Sequence, residues 1–351
     1  MNWAYMLRSP FVGLYGLLYY TKIGYFIRRR TPTLPSPLLM HGQTALVTGA
    51  SRGIGLVVAR ELWLRGALVY MLCRSLDHGE QAKQEIIRSN LARRRQLLAN
   101  MGVTQFDPVE VEADRLQISV CDLSRPKDVD RFSNQFKKQV SQLDVLVNNA
   151  GTLFPRRKIT PDGIEQGFAT NLLGMFQLTE ALIPLLEGTA ALKDRPQPRV
   201  ISVASGLVYT VPVISDNLQS KNGGYDMVES GARHKRLQMA LTEHYWPANH
   251  QDILFASTHP GWATTPGAAE GLPLMTKLLG WLLRTPEQGA ESIVWLAEKP
   301  RQPNGKFWFD GQVAKAHLSW LWTDPGVEHE RVEVAKAVQA CQHILAETCT
   351  S

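Results

Sequence analysis

The run Thr48-Gly49-Ala50-Ser51-Arg52-Gly53-Ile54-Gly55 constrains this chain more than any other stretch of its sequence. It follows directly on the apolar residues 44–47 and leads into residues 54–64, where apolar side chains recur on one helical face. A strand must therefore turn sharply and enter a helix within a few residues. Glycine lets a backbone make such a turn and come close to a ligand. Gly49, Gly53 and Gly55 leave room for a pyrophosphate, and the helix start adds free N–H donors and the positive end of its dipole. Ser51, Arg52 and Ile54 belong to the same turn and would line the same ligand. Glycine spacing alone is a weak signal; the strand–turn–helix context gives it weight.

The rest of the chain repeats that order. Strand-like segments at 67–72, 116–120, 143–147, 200–203, 253–257 and 305–309 alternate with helical stretches. Short apolar strands separated by amphipathic helices predict an α/β fold, a Rossmann-type doubly wound parallel sheet. A single domain over 38–326 accommodates it, with an N-terminal helical extension and linker at 1–37 and a helical tail at 327–351. In the tail, Val332, Val334, Ala337, Val338 and Cys341 fall at helical spacing and predict one amphipathic helix over 328–345.

The N-terminal extension is ambiguous in sequence. Residues 11–20 are apolar, Lys22 breaks the run, and Arg28, Arg29 and Arg30 follow. A bilayer span needs about 20 apolar residues, and no small-residue cleavage site follows in the usual place. Three readings stand: a helix packed on the body, an interfacial membrane helix, or a spanning or targeting segment. Residues 31–37, with three prolines, form a linker.

Composition mainly excludes. With 44% hydrophobic and 20% charged residues, the chain can bury a sizeable core. A net charge of +6 suits anionic ligands or an anionic membrane face. No zinc spacing, recognition-helix pattern or aromatic–basic repeat is present, so no nucleic-acid partner and no metal are expected. Residues 88–96 carry four arginines, most simply a solvated helix face, with a surface for an acidic partner as the alternative. Cys73, Cys121, Cys341 and Cys349 share no ligand spacing. Buried thiols in a reducing compartment follow, which makes the protein intracellular, cytoplasmic or membrane-associated.

Several further motifs stand in order along the chain. Asn148-Asn149-Ala150-Gly151 closes the fourth predicted strand, and Asp122-Leu123 follows the third. His259-Pro260-Gly261-Trp262-Ala263-Thr264-Thr265 follows the sixth. With the Gly-x-x-x-Gly-x-Gly turn, this set resembles the short-chain dehydrogenase/reductase family from residue 43 to about 309. The resemblance implies that Asn149, Ala150 and Gly151 line the adenosine side and that Asp122 and Leu123 contact the adenine. It places Pro260, Gly261 and Thr265 beside a nicotinamide.

Charge decides between the two nicotinamide dinucleotides. An acid at the end of the second strand accepts from a ribose 2′-OH, whereas a 2′-phosphate needs a cation. Here that strand ends Leu72-Cys73-Arg74, with no acid before Asp77, and Arg52 adds a second cation in the turn. NADP is therefore expected, with NAD as the alternative.

The resemblance also implies a catalytic set of Asn, Ser, Tyr and Lys. Asn171 matches the asparagine that anchors a relay water, Ser205 the serine that bonds the substrate oxygen, and Lys235 the lysine that binds the nicotinamide ribose. The tyrosine belongs four residues before the lysine, on the same helix face. That position is Gly231. Tyr225, Tyr209 and His234 lie near in sequence and are better explained as surface or packing residues.

Two functions remain open. One is an NADP-dependent oxidoreductase of reduced activity on a lipophilic carbonyl or alcohol. The other is an NADP-binding pseudo-enzyme used for interaction or sensing. Leu272, Leu274, Leu278, Leu279, Trp281 and Leu282 predict an apolar lid over the nicotinamide, or else a dimer or membrane face. Peripheral membrane contact and a homo-oligomer are both compatible with it.

Overall fold

The structure, a computed structural model, describes residues 10–28, 39–99, 114–271, 273–299, 301–318 and 323–350. The linker at 31–37 and Leu272 lie outside them.

Two N-terminal helices, α1 (Pro10–Tyr19) and α2 (Lys22–Arg28), precede the body. The body runs β1 (Thr44–Thr48), α3 (Gly53–Leu64), β2 (Leu68–Cys73), α4 (Leu76–Ala99), β3 (Leu116–Val120), α5 (Pro126–Gln139) and β4 (Val145–Asn148). The long helix α6 (Gln166–Ala190) contains a π-helical turn at Ala169–Leu173. Then come β5 (Arg199–Val203), α7 (Met227–Ala240), β6 (Leu254–His259), α8 (Pro266–Gly271), α9 (Pro273–Leu279) and α10 (Pro286–Glu298). Finally β7 (Lys306–Phe309) and β8 (Gln312–Val313) close the sheet, and α11 (Val327–Thr350) ends the chain.

The eight strands lie in the order β3-β2-β1-β4-β5-β6-β7-β8, parallel throughout except for β8. This is the doubly wound sheet expected from the sequence, with strand ends shifted by one or two residues. Central strands β1, β4, β5 and β6 are buried at every position, as parallel strands covered on both faces must be. Side chains of one strand therefore serve two cores. Leu46 joins Leu146, Phe132, Phe176, Leu186 and Trp246 under α5, α6 and α7. Its neighbours Ala45 and Val47 join Val58, Leu62, Trp63, Ile293 and Leu296 under α3 and α10. Helix α6 is apolar and long enough to cross a bilayer, but 67% of its apolar window is buried in this core.

The tail helix starts one residue before the expected boundary and runs past it. Val334, Ala337, Val338 and Cys341 enter the first core, as their spacing predicted, whereas Val332 stays 47% exposed. Cys73, Cys121 and Cys341 are buried free thiols and Cys349 an exposed one. Burial pushes the Cys121 thiol up to about 12, so it behaves as a small hydrophobe.

The N-terminal extension packs on the body with one face. The Trp262 amide donates to the Tyr20 carbonyl at 2.7 Å, and Lys22 N–H to the Leu282 carbonyl at 3.0 Å. Buried Arg284 donates to the carbonyls of Tyr19 (3.0 Å) and Thr21 (3.3 Å) while forking onto Asp310 at 2.6 and 3.0 Å. The opposite face stays open: Phe26 is 66% and Ile27 74% exposed. The packed-helix reading therefore describes one side of the hairpin, and an apolar surface remains on the other.

Candidate active site

The site begins where β1 ends. Gly49 (φ +64°) and Gly53 (φ +60°) adopt left-handed backbone that a side chain would strain. A Cβ at Gly55 would overlap the Asn149 amide and the Gly49 carbonyl, so the turn lies directly against the end of β4. Arg52, at the N-cap of α3, is extended and gives no side-chain cap. The first N–H groups of α3 are therefore free of a capping side chain, the arrangement that receives an anion. The crevice between β1 and β4 is also where the strand order reverses, the general ligand position of such sheets.

Thr48 pins the two loops together. Its hydroxyl accepts from the amides of Asn149 and Ala150, both at 2.9 Å, and its carbonyl accepts from Asn149 Nδ2 at 2.9 Å. Asp122 turns the next loop, accepting from the Ser124 amide at 2.9 Å and hydroxyl at 2.8 Å, while Leu123 is buried in the core. Thr265 lies over the glycine turn: a Cβ at Gly53 would stand 3.4 Å from it. Pro260 and the positive-φ Gly261 lead from β6 toward it.

Three elements bring the catalytic candidates to the end of β4 and β5. Asn171 sits in the π-turn of α6, a feature that nothing in the sequence pattern predicted; such turns are frequent at functional sites. Its side chain bonds both backbone groups of Thr152 at 2.8 Å, and Gln238 Nε2 donates to the Asn171 carbonyl. Lys235, on α7, donates from Nζ to the Val203 carbonyl at 2.6 Å, two residues before Ser205. Burial pushes its ammonium down to about 8. Gly151 lies between them: a Cβ there would stand 3.5 Å from both Asn171 Oδ1 and Lys235 Nζ. Ser205 is partly buried after β5, its hydroxyl accepting from the Leu207 amide at 3.3 Å.

The position one turn before Lys235 is crowded by a leucine side chain. Gly231 is buried, and a Cβ there would overlap the Leu153 Cδ2 methyl. Leu153 also stands 3.4 Å from a Cβ built on Gly271, so it is wedged between α7 and α8. The alternative donors are engaged elsewhere. The Tyr225 hydroxyl donates to the Phe154 carbonyl at 3.1 Å, and burial pushes it up to about 12. The Tyr209 hydroxyl donates to the Lys315 carbonyl at 2.9 Å. His234 is buried against the Leu218 carbonyl at 2.9 Å, and burial pushes it down to about 4.

Tyr20, read from sequence only as part of an apolar run, and His259, read only as the start of its motif, stand behind Ser205. The ring of Tyr20 meets His259 edge-on at 4.5 Å, and Phe309 stacks on His259 at 4.9 Å. A Cβ on Gly206 would lie 2.7 Å from Tyr20 and 2.8 Å from His259 Nε2. The N-terminal extension thus buttresses the Ser205 loop. A tyrosine in an apolar run carried no periodic signal that could have shown this.

A family model described as short chain dehydrogenase matches residues 43–111 and 104–234. The chain belongs to the short-chain dehydrogenase/reductase family. Among the family's members, dehydrogenase/reductase SDR family member 12 of Bos taurus is 36% identical over 326 residues, covering 91% of this chain and 93% of that protein. Retinol dehydrogenase 14 of Homo sapiens is 31% identical over 271 residues, covering 75% and 76%. Solved structures agree in fold. An uncharacterized protein from Mycobacterium Paratuberculosis superposes with a TM-score of 0.63 at 23% identity, covering 90% of this chain and 96% of that one. The Pseudomonas aeruginosa RhlG/NADP active-site complex gives 0.58 at 21% identity, covering 78% and 96%.

Proposed function

We propose that this chain is an NADP-binding oxidoreductase of weakened turnover, acting on a lipophilic carbonyl or alcohol. One observation carries the reading: Asn171, Lys235 and the Ser205 strand converge beside the glycine turn, while Leu153 crowds Gly231, the position from which the usual phenol would project. The residues present fit a dinucleotide, because the helix start is uncapped and Gly151 leaves the Lys235 ammonium reachable. When bound, the nicotinamide exchanges the hydride. The turn from Gly49 to Gly55 would hold the pyrophosphate, Lys235 the ribose, and Arg52 and Arg74 the 2′-phosphate. Asn149, Ala150, Gly151, Asp122 and Leu123 would line the adenosine, and Pro260, Gly261 and Thr265 the nicotinamide. Ser205 would donate to the substrate oxygen, and Asn171 would hold the relay water.

The cofactor half of this reading is tested by titrating NADPH and NADH and following nicotinamide fluorescence. NADPH is expected to bind more tightly, and Arg74→Asp to erase or reverse the order, since charge-assisted bonds to the phosphate set it. Equal affinities in the unaltered protein would sink the assignment. A binding protein without turnover is the second reading, and the Leu153 contact at Gly231 favours it.

The open face of the N-terminal hairpin supports peripheral membrane contact of an intracellular protein. Lys22 Nζ donates to the Trp281 carbonyl at 3.1 Å, which joins the hairpin to the segment after α9. Leu278 in α9 is 61% and Trp281 76% exposed, which suits the dimer or membrane face expected as the alternative to a lid. Leu282, by contrast, is buried. Phe26→Glu with Trp281→Glu should weaken sedimentation with anionic liposomes at least about tenfold, from the apolar area each ring would bury. Wild-type protein that never sediments would leave this face to a partner chain.

A further inference from the structure

Arg52, the cation the sequence places in the cofactor turn, is already occupied. Its guanidinium forks onto Glu270 of α8, with Nη1 2.6 Å from Oε1 and Nη2 3.3 Å from Oε2. Arg74, exposed at the end of β2, also lowers the proton affinity of that carboxylate, after the larger effect of the Arg52 bond. An anion thus stands in the field of both arginines. It is carried by the chain itself, on a helix rooted at the glycine turn by Thr265, whose hydroxyl accepts from the Ala268 amide at 3.1 Å.

We infer that Glu270 is a cofactor-selectivity residue: its carboxylate occupies the Nη1–Nη2 edge of Arg52, and a 2′-phosphate gains that edge only by displacing it. The inference rests on the assignment of Arg52 and Arg74 to the 2′-phosphate made above. Glu270 takes the Nη1–Nη2 edge of the guanidinium, so a phosphate that binds bidentately at that edge competes with the carboxylate. A phosphate with two charges wins over one carboxylate. A ribose hydroxyl has no charge with which to do so, and NADH binds with the Arg52–Glu270 pair intact. The pair is open to exchange, since both side chains are about half exposed or more, at 48% and 64%. Exposed pairs of this kind are weak. Glu270 therefore tempers the preference for NADPH, and phosphate binding releases the Glu270 side chain of α8 from Arg52.

The test is a binding cycle with NADPH and NADH on wild type, Glu270→Gln, Arg52→Ala and the double variant. Glu270→Gln should tighten NADPH about threefold, in keeping with the strength of an exposed pair, and change NADH by less than about twofold. The gain should shrink as salt is raised, because the charges are screened. In the Arg52→Ala background the gain should vanish. A gain that persists there, or one equal for NADH, would show simple repulsion in place of competition for Arg52. An unchanged Glu270→Gln affinity would overturn the inference outright. Its failure is separable from that of the parent assignment: wild type without an NADPH preference refutes the assignment, whereas a preference with an inert Glu270→Gln refutes only this role. Both side chains are exposed, so neither substitution threatens the fold.

Discussion

Gly231→Tyr combined with Leu153→Ala is expected to raise turnover of apolar aldehydes and ketones with NADPH by about 10²-fold, the lower end of general-acid help. The lysine that would assist such a phenol is in place, held by the Val203 carbonyl at 2.6 Å, and burial lowers its proton affinity. A phenol one turn away would lie on the Lys235 face and feel that charge, which favours the phenolate. Gly231→Tyr alone is expected to give much less, because the new Cβ overlaps Leu153 Cδ2 and the ring competes with leucine for one space. Leu153→Ala alone opens the space without supplying a proton, and should leave turnover near wild type. NADPH affinity should change little in any of the three, because the cofactor contacts lie in the turn and at Lys235. Steady-state rates on a shared carbonyl substrate decide the matter. Wild type at ordinary reductase rates would mean that another group supplies the proton.

Glu330→Ala is expected to cost about 3–5 kcal/mol of stability, the penalty of stripping one partner from a buried ion pair. Glu330 on α11 is buried, 4% exposed in its side chain, and Arg236 of α7 is 1% exposed. Arg236 binds the carboxylate, His244 stands 3.0 Å from Oε2, and His317 lies 3.0 Å from Oε1. Removing the carboxylate leaves the guanidinium charged and buried. Because Arg236 follows Lys235 directly, the helix that presents the lysine should loosen along with the tail. A denaturant midpoint reads the loss; a shift below about 1 kcal/mol would show that water reaches Arg236. The same cluster predicts acid sensitivity. Burial alone would raise the Glu330 carboxyl above its usual 4.5, but His244, His317 and Arg236 outweigh it and hold the group far below. Such a carboxylate contributes its full stability above about pH 4.5 and loses it as pH falls further into the acid range, because the unfolded chain takes up the proton first. Glu330→Gln should flatten that part of the pH–stability curve.

The glycine turn, the alternation of strands and helices and the order of the motifs were legible in the chain alone. Each depends on contacts or backbone angles within a few residues: positive φ at Gly49 and Gly53, and apolar runs such as Thr44–Thr48 that are buried on both faces. The amphipathic period of the tail was likewise local, and Val334, Ala337, Val338 and Cys341 went where it pointed. What only the tertiary structure decided depends on groups distant in sequence. Gly231 showed that a phenol was missing; only the packed chain shows that the Leu153 Cδ2 methyl lies where a side chain there would begin. Arg52 looked free to meet a phosphate, but it pairs with a carboxylate 218 residues away. The N-terminal run had three readings because its apolar residues serve two faces. Tyr20 is 4% exposed against His259, whereas Leu14 is 53% exposed. Hydrophobic patterning states that a residue prefers to leave water and is silent on which partner receives it. That choice is made by shape and charge brought together from across the fold.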